Sequence, residues 1–175
     1  VEVNVLLNRK FGNEFHIILD KTIFYPDGAG GQRGDKGSIN GIEIVKSFER
    51  DGKIVHITKE KVSGSTGTVK IDWDNRFHIM QQHTGQHLVS SCFYRLFGIP
   101  TLSFHASSDH LNIDLDTDSL SYEDISKVEE LANTIIQYNF PVKTYFPSDE
   151  EKDVIDFRRT PKVEENLRVV EIDSI

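Results

Sequence analysis

The chain has 175 residues, with 20 Lys and Arg against 28 Asp and Glu and a formal net charge of −8. This length predicts one domain of ordinary size, or two small subdomains. The single cysteine excludes a disulfide framework and favours a reducing, cytoplasmic compartment. The sequence contains no run of about 18 apolar residues, so it predicts no membrane-spanning helix. The acidic balance argues against a protein that binds nucleic acids through a broadly basic surface.

Residues 1–72 have the pattern of short β-strands. Apolar and polar residues alternate at period two, and turn dipeptides such as Asp51-Gly52 separate the stretches. The strand-like stretches are 1–5, 15–19, 43–48, 53–58 and 67–72. Several short strands at this spacing predict a small β-barrel. The first subdomain is therefore predicted to be β-barrel-like and to span residues 1–72.

The pattern changes after Trp73. Residues 76–97 contain no proline and are followed by Gly98, which predicts a long helix. A second helix is predicted from an N-cap at Ser121 to Pro141, with an apolar stripe at helical spacing. Short strands are predicted at 110–115, 142–146 and 167–172. The second subdomain, residues 73–175, and the chain as a whole are therefore predicted to be α+β.

His83 and His87 lie four residues apart within the first predicted helix. Four residues advance a helix by about 400°, so both imidazoles project from one side and can share one zinc ion. On a helical wheel the pair lies opposite the apolar stripe that contains Cys92, which weakens an interpretation as core histidines. Solvated histidines, or one core and one surface residue, remain alternatives. A catalytic zinc normally has three protein ligands, and this helix supplies two.

The segment from Phe24 to Gly37 is rich in glycine. Such a run can be a tight turn between strands and no more. It lacks the Lys-Ser/Thr ending of a P-loop, and no predicted helix follows it as in a dinucleotide fingerprint. Its glycines would permit close approach of the backbone to a ligand.

Taken together, several segments resemble one family. The stretch Leu19–Pro26, followed by Gly30-Gly31-Gln32 and Asp35, is similar to the signature of alanyl-tRNA synthetase editing domains and their free-standing AlaX-type relatives. Further similar segments follow in consistent order at 82–88, 101–105, 113–115 and 168–172. The resemblance therefore spans nearly the whole chain. Ala29 makes the glycine-rich loop one residue longer than the family pattern.

The resemblance implies a β-barrel-like subdomain packed on an α+β editing subdomain. It implies a proofreading deacylase that acts in trans on tRNA for alanine, removing serine and sometimes glycine. It also implies a zinc ion held by His83, His87 and a Cys-x3-His pair expected beyond Ile175. The expected catalytic group is a water molecule bound to that zinc. No DNA, membrane or further cofactor is expected as a partner.

Selectivity for serine over alanine cannot come from size, because serine is the larger side chain. A buried polar group that only the serine hydroxyl satisfies would provide it. The candidates are Thr84, Thr101 and Ser103, although each has an ordinary structural role as its alternative. Gln32, flanked by Gly30 and Gly31, is expected to contact the aminoacyl group or the tRNA end.

Arg158, Arg159 and Lys162 form the densest basic group of the second half and are predicted to contact tRNA phosphates. Charges that are merely solvated are the alternative. Besides the deacylase, the sequence leaves open a catalytically silent tRNA- or partner-binding relative, an editing fragment of an alanyl-tRNA synthetase, and a metal-dependent hydrolase of another small ester. Metal content and tRNA dependence distinguish these functions.

Overall fold

The computed structural model describes residues 1–107, 110–155, 157 and 166–172. The chain divides into two compact units. The first comprises Val1–His83 with His105–Leu111, and the second comprises Thr84–Phe104 with Asn112–Ile175. The subdomains 1–72 and 73–175 were assigned by sequence character rather than by packing, and they stay a prediction.

Six antiparallel strands form a closed barrel in the first unit. They are β1 (Glu2–Phe11), β2 (Glu14–Leu19), β3 (Gly37–Ile39), β4 (Ile42–Arg50), β5 (Lys53–Thr58) and β6 (Thr66–Ile71). Around the barrel the order is β1-β2-β5-β4-β3-β6, and pairing of β6 with β1 closes it. The predicted β-barrel is therefore confirmed.

Alternate side chains of these strands fill the barrel. Ile17, Ile39 and Val69 are fully buried, and Phe24 packs against them from the loop that follows β2. A side chain at Gly37 would collide with the Lys70 carbonyl oxygen and with the Phe24 ring. Only glycine therefore permits β3 to approach β6 this closely.

The long helix α1 spans Trp73–Phe97 and begins three residues before the predicted start. Asp72 explains the earlier start, because its carboxylate Oδ1 accepts a hydrogen bond of 3.0 Å from the Asn75 N–H, as an N-cap side chain does. The helix ends before Gly98, whose φ of 69° is left-handed. The Gly98 N–H donates to the Tyr94 carbonyl at 2.8 Å, which satisfies one of the last carbonyls of the helix.

The remaining elements are two two-stranded sheets and two helices. They are β7 (Thr101–Ala106) paired with β8 (Leu111–Leu115), α2 (Tyr122–Gln137), β9 (Val142–Tyr145) paired with β10 (Val169–Ile172), and α3 (Asp149–Lys152). The core of the second unit is formed by Leu88 and Cys92 of α1, Val128 and Ile135 of α2, and Ile172 of β10. The α+β class is therefore confirmed.

Helix α2 has the predicted N-cap. The Ser121 hydroxyl accepts from the Asp124 N–H at 3.1 Å, and the Asp124 carboxylate accepts from the Ser121 N–H, so the two form a capping box. The helix ends at Gln137, before the predicted stop at Pro141, because Asn139 adopts a left-handed φ of 51°. No described helix combines the length and apolar character that a membrane-spanning segment needs.

Candidate functional site

The predicted histidine pair lies on α1. His83 and His87 are one helical turn apart, and both are half-buried. On the helical wheel Ser90 falls on the same side, yet it is fully buried and its hydroxyl accepts a 2.8 Å hydrogen bond from Gln86 Nε2. The polar side of this part of α1 is therefore packed rather than fully solvated.

The histidine pair fits the donor chemistry of zinc, because neutral imidazole nitrogens are common zinc ligands. Within the described ranges, no group of three or more His, Cys, Asp or Glu side chains is placed to hold a metal ion. Zinc binding by His83 and His87 therefore stays a prediction, and further ligands would have to come from elsewhere. Cys92 is not a candidate ligand: it is fully buried in the core, and burial raises the pKa of its thiol.

The glycine-rich loop approaches His83. Gly30 and Gly31 adopt left-handed φ angles of 60° and 76° around a short 3-10 turn at Ala29–Gly31. A β-carbon added at Gly30 would lie 3.4 Å from the Tyr25 hydroxyl oxygen and 4.0 Å from His83 Cε1. The fold of the first unit therefore brings Gly30, Tyr25 and His83 together. Gln32 follows the turn in an extended conformation and is half-buried.

A buried ion pair connects this loop to the first turn of α1. Arg76 Nε donates to Asp35 Oδ1 at 2.6 Å, and Arg76 Nη2 donates both to Asp35 Oδ2 and to the Ile23 carbonyl at 2.7 Å. Asp35 is only 5% exposed. The hydrogen bond to Asp35, reinforced by its charge, raises the pKa of Arg76. The pair therefore ties the glycine-rich loop to the helix that carries His83.

This ion pair was not predicted from the sequence. Asp35 belongs to the segment that resembles the family signature, and Arg76 is the first residue of the predicted helix. One signal was present: Arg76 precedes His83 by seven residues, two helical turns, so both project from the same side of α1.

His56 is a second residue that the sequence analysis missed. It lies inside the barrel, 1% exposed, with Nε2 2.8 Å from Thr22 Oγ1 and Nδ1 3.4 Å from the Ile17 carbonyl. Thr22 Oγ1 also accepts from the Phe24 N–H at 3.1 Å. These partners are consistent with a neutral ring that donates from Nδ1 and accepts the Thr22 hydroxyl at Nε2. Burial correspondingly lowers the pKa of His56.

The second unit contains a cavity of about 200 Å³ lined by α1, α2, β9 and β10. Its walls are mainly aliphatic and aromatic, and Thr84 and Asn139 are its polar residues. Thr84 precedes His87 by three residues, so both lie on the same side of α1. The structure thus places one predicted selectivity residue, Thr84, at a cavity of the second unit that His87 does not line, and Thr84 is exposed rather than buried.

The other predicted site residues lie elsewhere. The Ser103 hydroxyl donates to the Asp114 carboxylate across the β7–β8 pair, and Thr101 begins β7. Neither residue lines the cavity that contains Thr84. Arg158, Arg159 and Lys162 lie outside the described residues, so their contact with tRNA stays a prediction.

No protein-family model matches the chain. The chain is 33% identical over 165 aligned positions to the alanyl-tRNA editing protein Aarsd1 of Mus musculus, covering 92% of this chain and 40% of that protein. It is 31% identical over 185 aligned positions to the alanyl-tRNA editing protein AlaX-L of Pyrococcus horikoshii, covering 100% of this chain and 45% of that protein. Over nearly its whole length the chain is therefore similar to AlaX-like editing proteins.

The family resemblance seen in the sequence is thereby confirmed. The alanine–tRNA ligase of Methanococcus maripaludis is also similar, at 30% identity over 139 aligned positions that cover 76% of this chain and 16% of the ligase. The chain spans less than half the length of these curated relatives.

Proposed function

We propose that this chain hydrolyses mischarged tRNA for alanine as a proofreading deacylase acting in trans, with serine as the preferred amino acid and glycine as the second. The approach of the Gly30 turn to His83 supports this function. Its glycines would permit a ligand to come close to the backbone beside a half-buried imidazole. The names of the relatives support alanyl-tRNA editing as the reaction class. The single buried cysteine is consistent with a cytoplasmic location.

In this proposal His83 and His87 hold a zinc ion through their ring nitrogens, together with ligands outside the described residues. A bound Zn²⁺ would supply Lewis acidity toward water and toward the ester carbonyl. The chain itself contributes the arrangement around the ion. The Asp35–Arg76 pair fixes the glycine-rich loop, and Gly30, which has no side chain, permits the aminoacyl ester to approach His83.

Recognition of the substrate is assigned to three further groups. The Thr84 hydroxyl, at the cavity of the second unit, is assigned to the serine hydroxyl. Thr84 is exposed, so this selectivity requires the bound substrate to bury it, because only then does the alanine methyl leave it unpaired. Gln32, with Gly30 and Gly31, would contact the aminoacyl group or the tRNA end. Arg158, Arg159 and Lys162 would contact phosphates, so neutralising Arg158 and Arg159 should weaken tRNA binding and reduce its salt dependence.

The decisive experiment measures hydrolysis of seryl-tRNA and alanyl-tRNA, both on tRNA for alanine, by zinc-replete protein. We expect loss of serine alone, abolished by His83→Ala. His78→Ala is the matched control, because His78 is an exposed histidine on the same helix. Equal hydrolysis of both substrates would support the deacylase function but contradict the selectivity assigned to Thr84. Hydrolysis of a free serine ester without tRNA dependence would indicate a small-ester hydrolase instead.

The catalytically silent relative is the second candidate function. It rests on one observation: among the described residues no group of three or more His, Cys, Asp or Glu side chains is placed to hold a metal ion, whereas a catalytic zinc normally has three protein ligands. It predicts binding of tRNA for alanine with no bound zinc and no hydrolysis. Measuring the zinc content of the purified protein alongside the deacylation assay separates the two candidates.

A further inference from the structure

The Tyr25 hydroxyl occupies a defined position beside the proposed site. Tyr25 Oη and His83 Cε1 both lie within 4.0 Å of the point where a Gly30 β-carbon would be. Because Gly30 has no side chain, the space between the hydroxyl and the imidazole is not filled from that residue. Within the described part of the chain, the structure gives the Tyr25 hydroxyl no hydrogen-bond partner. The hydroxyl is therefore a donor available to a ligand next to His83.

The backbone of Tyr25 is fixed on both sides. Its N–H donates to Asp35 Oδ2 at 2.6 Å, and its carbonyl accepts from the Asp35 N–H at 3.1 Å. Two residues earlier, the Ile23 carbonyl accepts from Arg76 at 2.7 Å, and two residues later, the Asp27 N–H donates to the Ser47 carbonyl at 2.8 Å. Groups fixed in this way before a ligand binds cost little reorganisation during a reaction.

The neighbouring residue also limits movement. Phe24 is buried in the barrel core and packs edge-on against the His56 ring at a centroid distance of 5.4 Å. A shift of Tyr25 would disturb this packing and the hydrogen bonds to Asp35 together. The backbone position of Tyr25, from which its side chain extends toward Gly30, is thus set by the barrel and by the buried ion pair, rather than by the loop alone.

From these contacts we infer that Tyr25 is a further catalytic residue of this site: its hydroxyl donates a hydrogen bond to the carbonyl oxygen of the aminoacyl ester as that oxygen becomes the tetrahedral oxyanion. This inference rests on the proposed deacylase function. The hydroxyl keeps its proton throughout, so its contribution is electrostatic and no covalent bond to Tyr25 forms. The hydrogen bond strengthens as negative charge develops on the oxygen, so it favours the transition state over the bound ester.

The test compares Tyr25→Phe with wild-type protein, both zinc-replete. Removing one donor of this kind should lower kcat by about 100- to 1,000-fold and leave KM nearly unchanged. Binding of a tetrahedral phosphonate analogue of 3′-seryl adenosine should weaken by about 10- to 100-fold, whereas binding of an uncleavable amide analogue should not change. Tyr94→Phe, on α1 and 39% exposed, is the matched control and should behave as wild type.

Three outcomes would overturn the inference. A kcat within about twofold of wild type would show that the hydroxyl does not act in the reaction, while the deacylase function would stand. A fall in kcat accompanied by loss of bound zinc or a lower Tm would assign Tyr25 a structural role only. No hydrolysis by the wild-type protein would overturn the proposed deacylase function and the role of Tyr25 together.

Discussion

Arg76 and Asp35, 41 residues apart in the chain, form a two-point ion pair in which Arg76 Nε donates to Asp35 Oδ1 at 2.6 Å and Nη2 donates to the second oxygen. The Asp35 side chain is 2% exposed and that of Arg76 is 23% exposed. The carboxylate is therefore almost entirely dependent on protein partners for its hydrogen bonds. This pair, rather than the loop sequence alone, determines where the glycine-rich segment lies relative to the start of α1.

Arg76→Ala should lower the free energy of unfolding by about 3 kcal/mol, because it leaves the Asp35 charge buried without its main partner. Urea unfolding monitored by circular dichroism measures the effect. Arg50→Ala is the control, since its ion pair with Asp51 is exposed on both sides and should contribute about 0–1 kcal/mol. Equal losses for the two variants would contradict a structural role for the buried pair.

Gly30→Ala should separate stability from activity. At φ of 60° an alanine is strained by about 1–2 kcal/mol, and its methyl would occupy the space between Tyr25 and His83. Gly28→Ala is a matched control: its φ of 82° imposes similar strain, but an added β-carbon has no neighbour within 4 Å.

We therefore expect similar losses of stability in the two glycine variants, and a large loss of deacylation in Gly30→Ala alone. Thermal unfolding and initial rates on seryl-tRNA measure the two effects. Comparable deacylation by both variants would show that the space at Gly30 is not used by the substrate.

The pH dependence of stability should carry a contribution from His56. Burial lowers the pKa of His56 in the folded protein below its ordinary value of 6.5. Between these two pKa values the unfolded state binds more protons at His56 than the folded state does. The free energy of unfolding is therefore not reduced by His56 above about pH 6.5, and it falls as the pH decreases toward the folded-state pKa.

His56→Gln tests this contribution, because it removes the titrating group and retains an amide that can hydrogen-bond to Thr22. Urea unfolding between pH 5 and pH 8 should show a weaker loss of stability on acidification than in wild type. His78→Gln, at an exposed position of α1, should keep the wild-type dependence. Parallel pH curves for wild type and His56→Gln would refute the assignment.

Zinc content should depend on both histidines of the proposed site. His83→Ala and His87→Ala should each lose most bound zinc, because each removes one ligand, whereas His78→Ala should retain it. Elemental analysis of the purified variants measures this directly. Removing zinc from wild type with a chelator should abolish deacylation, and adding zinc back should restore it. Full activity in zinc-free protein would disprove the metal assignment.

Local sequence patterns were sufficient to predict much of the fold. Strand alternation and turn dipeptides indicated the barrel, and Ser121 and Gly98 marked helix ends, because these signals act over a few neighbouring residues. That His83 and His87 project from the same side of α1 could also be predicted, since helix geometry fixes the direction of side chains four residues apart. Even so, the N-cap role of Asp72 was missed, and α1 begins three residues earlier than predicted.

The remainder depended on contacts between distant parts of the chain. A helical wheel gives directions about the axis of one helix but not what packs there, so it did not predict the burial of Ser90. Closure of the barrel places His56 in the core, and the buried Asp35–Arg76 pair fixes the loop that brings Gly30 and Tyr25 to His83. The sequence by itself therefore determined most of the elements and the histidine pair, whereas β3, β7 and α3 were not predicted. Only the tertiary structure decided which residues surround that pair, because burial and hydrogen-bond partners are properties of the packed chain.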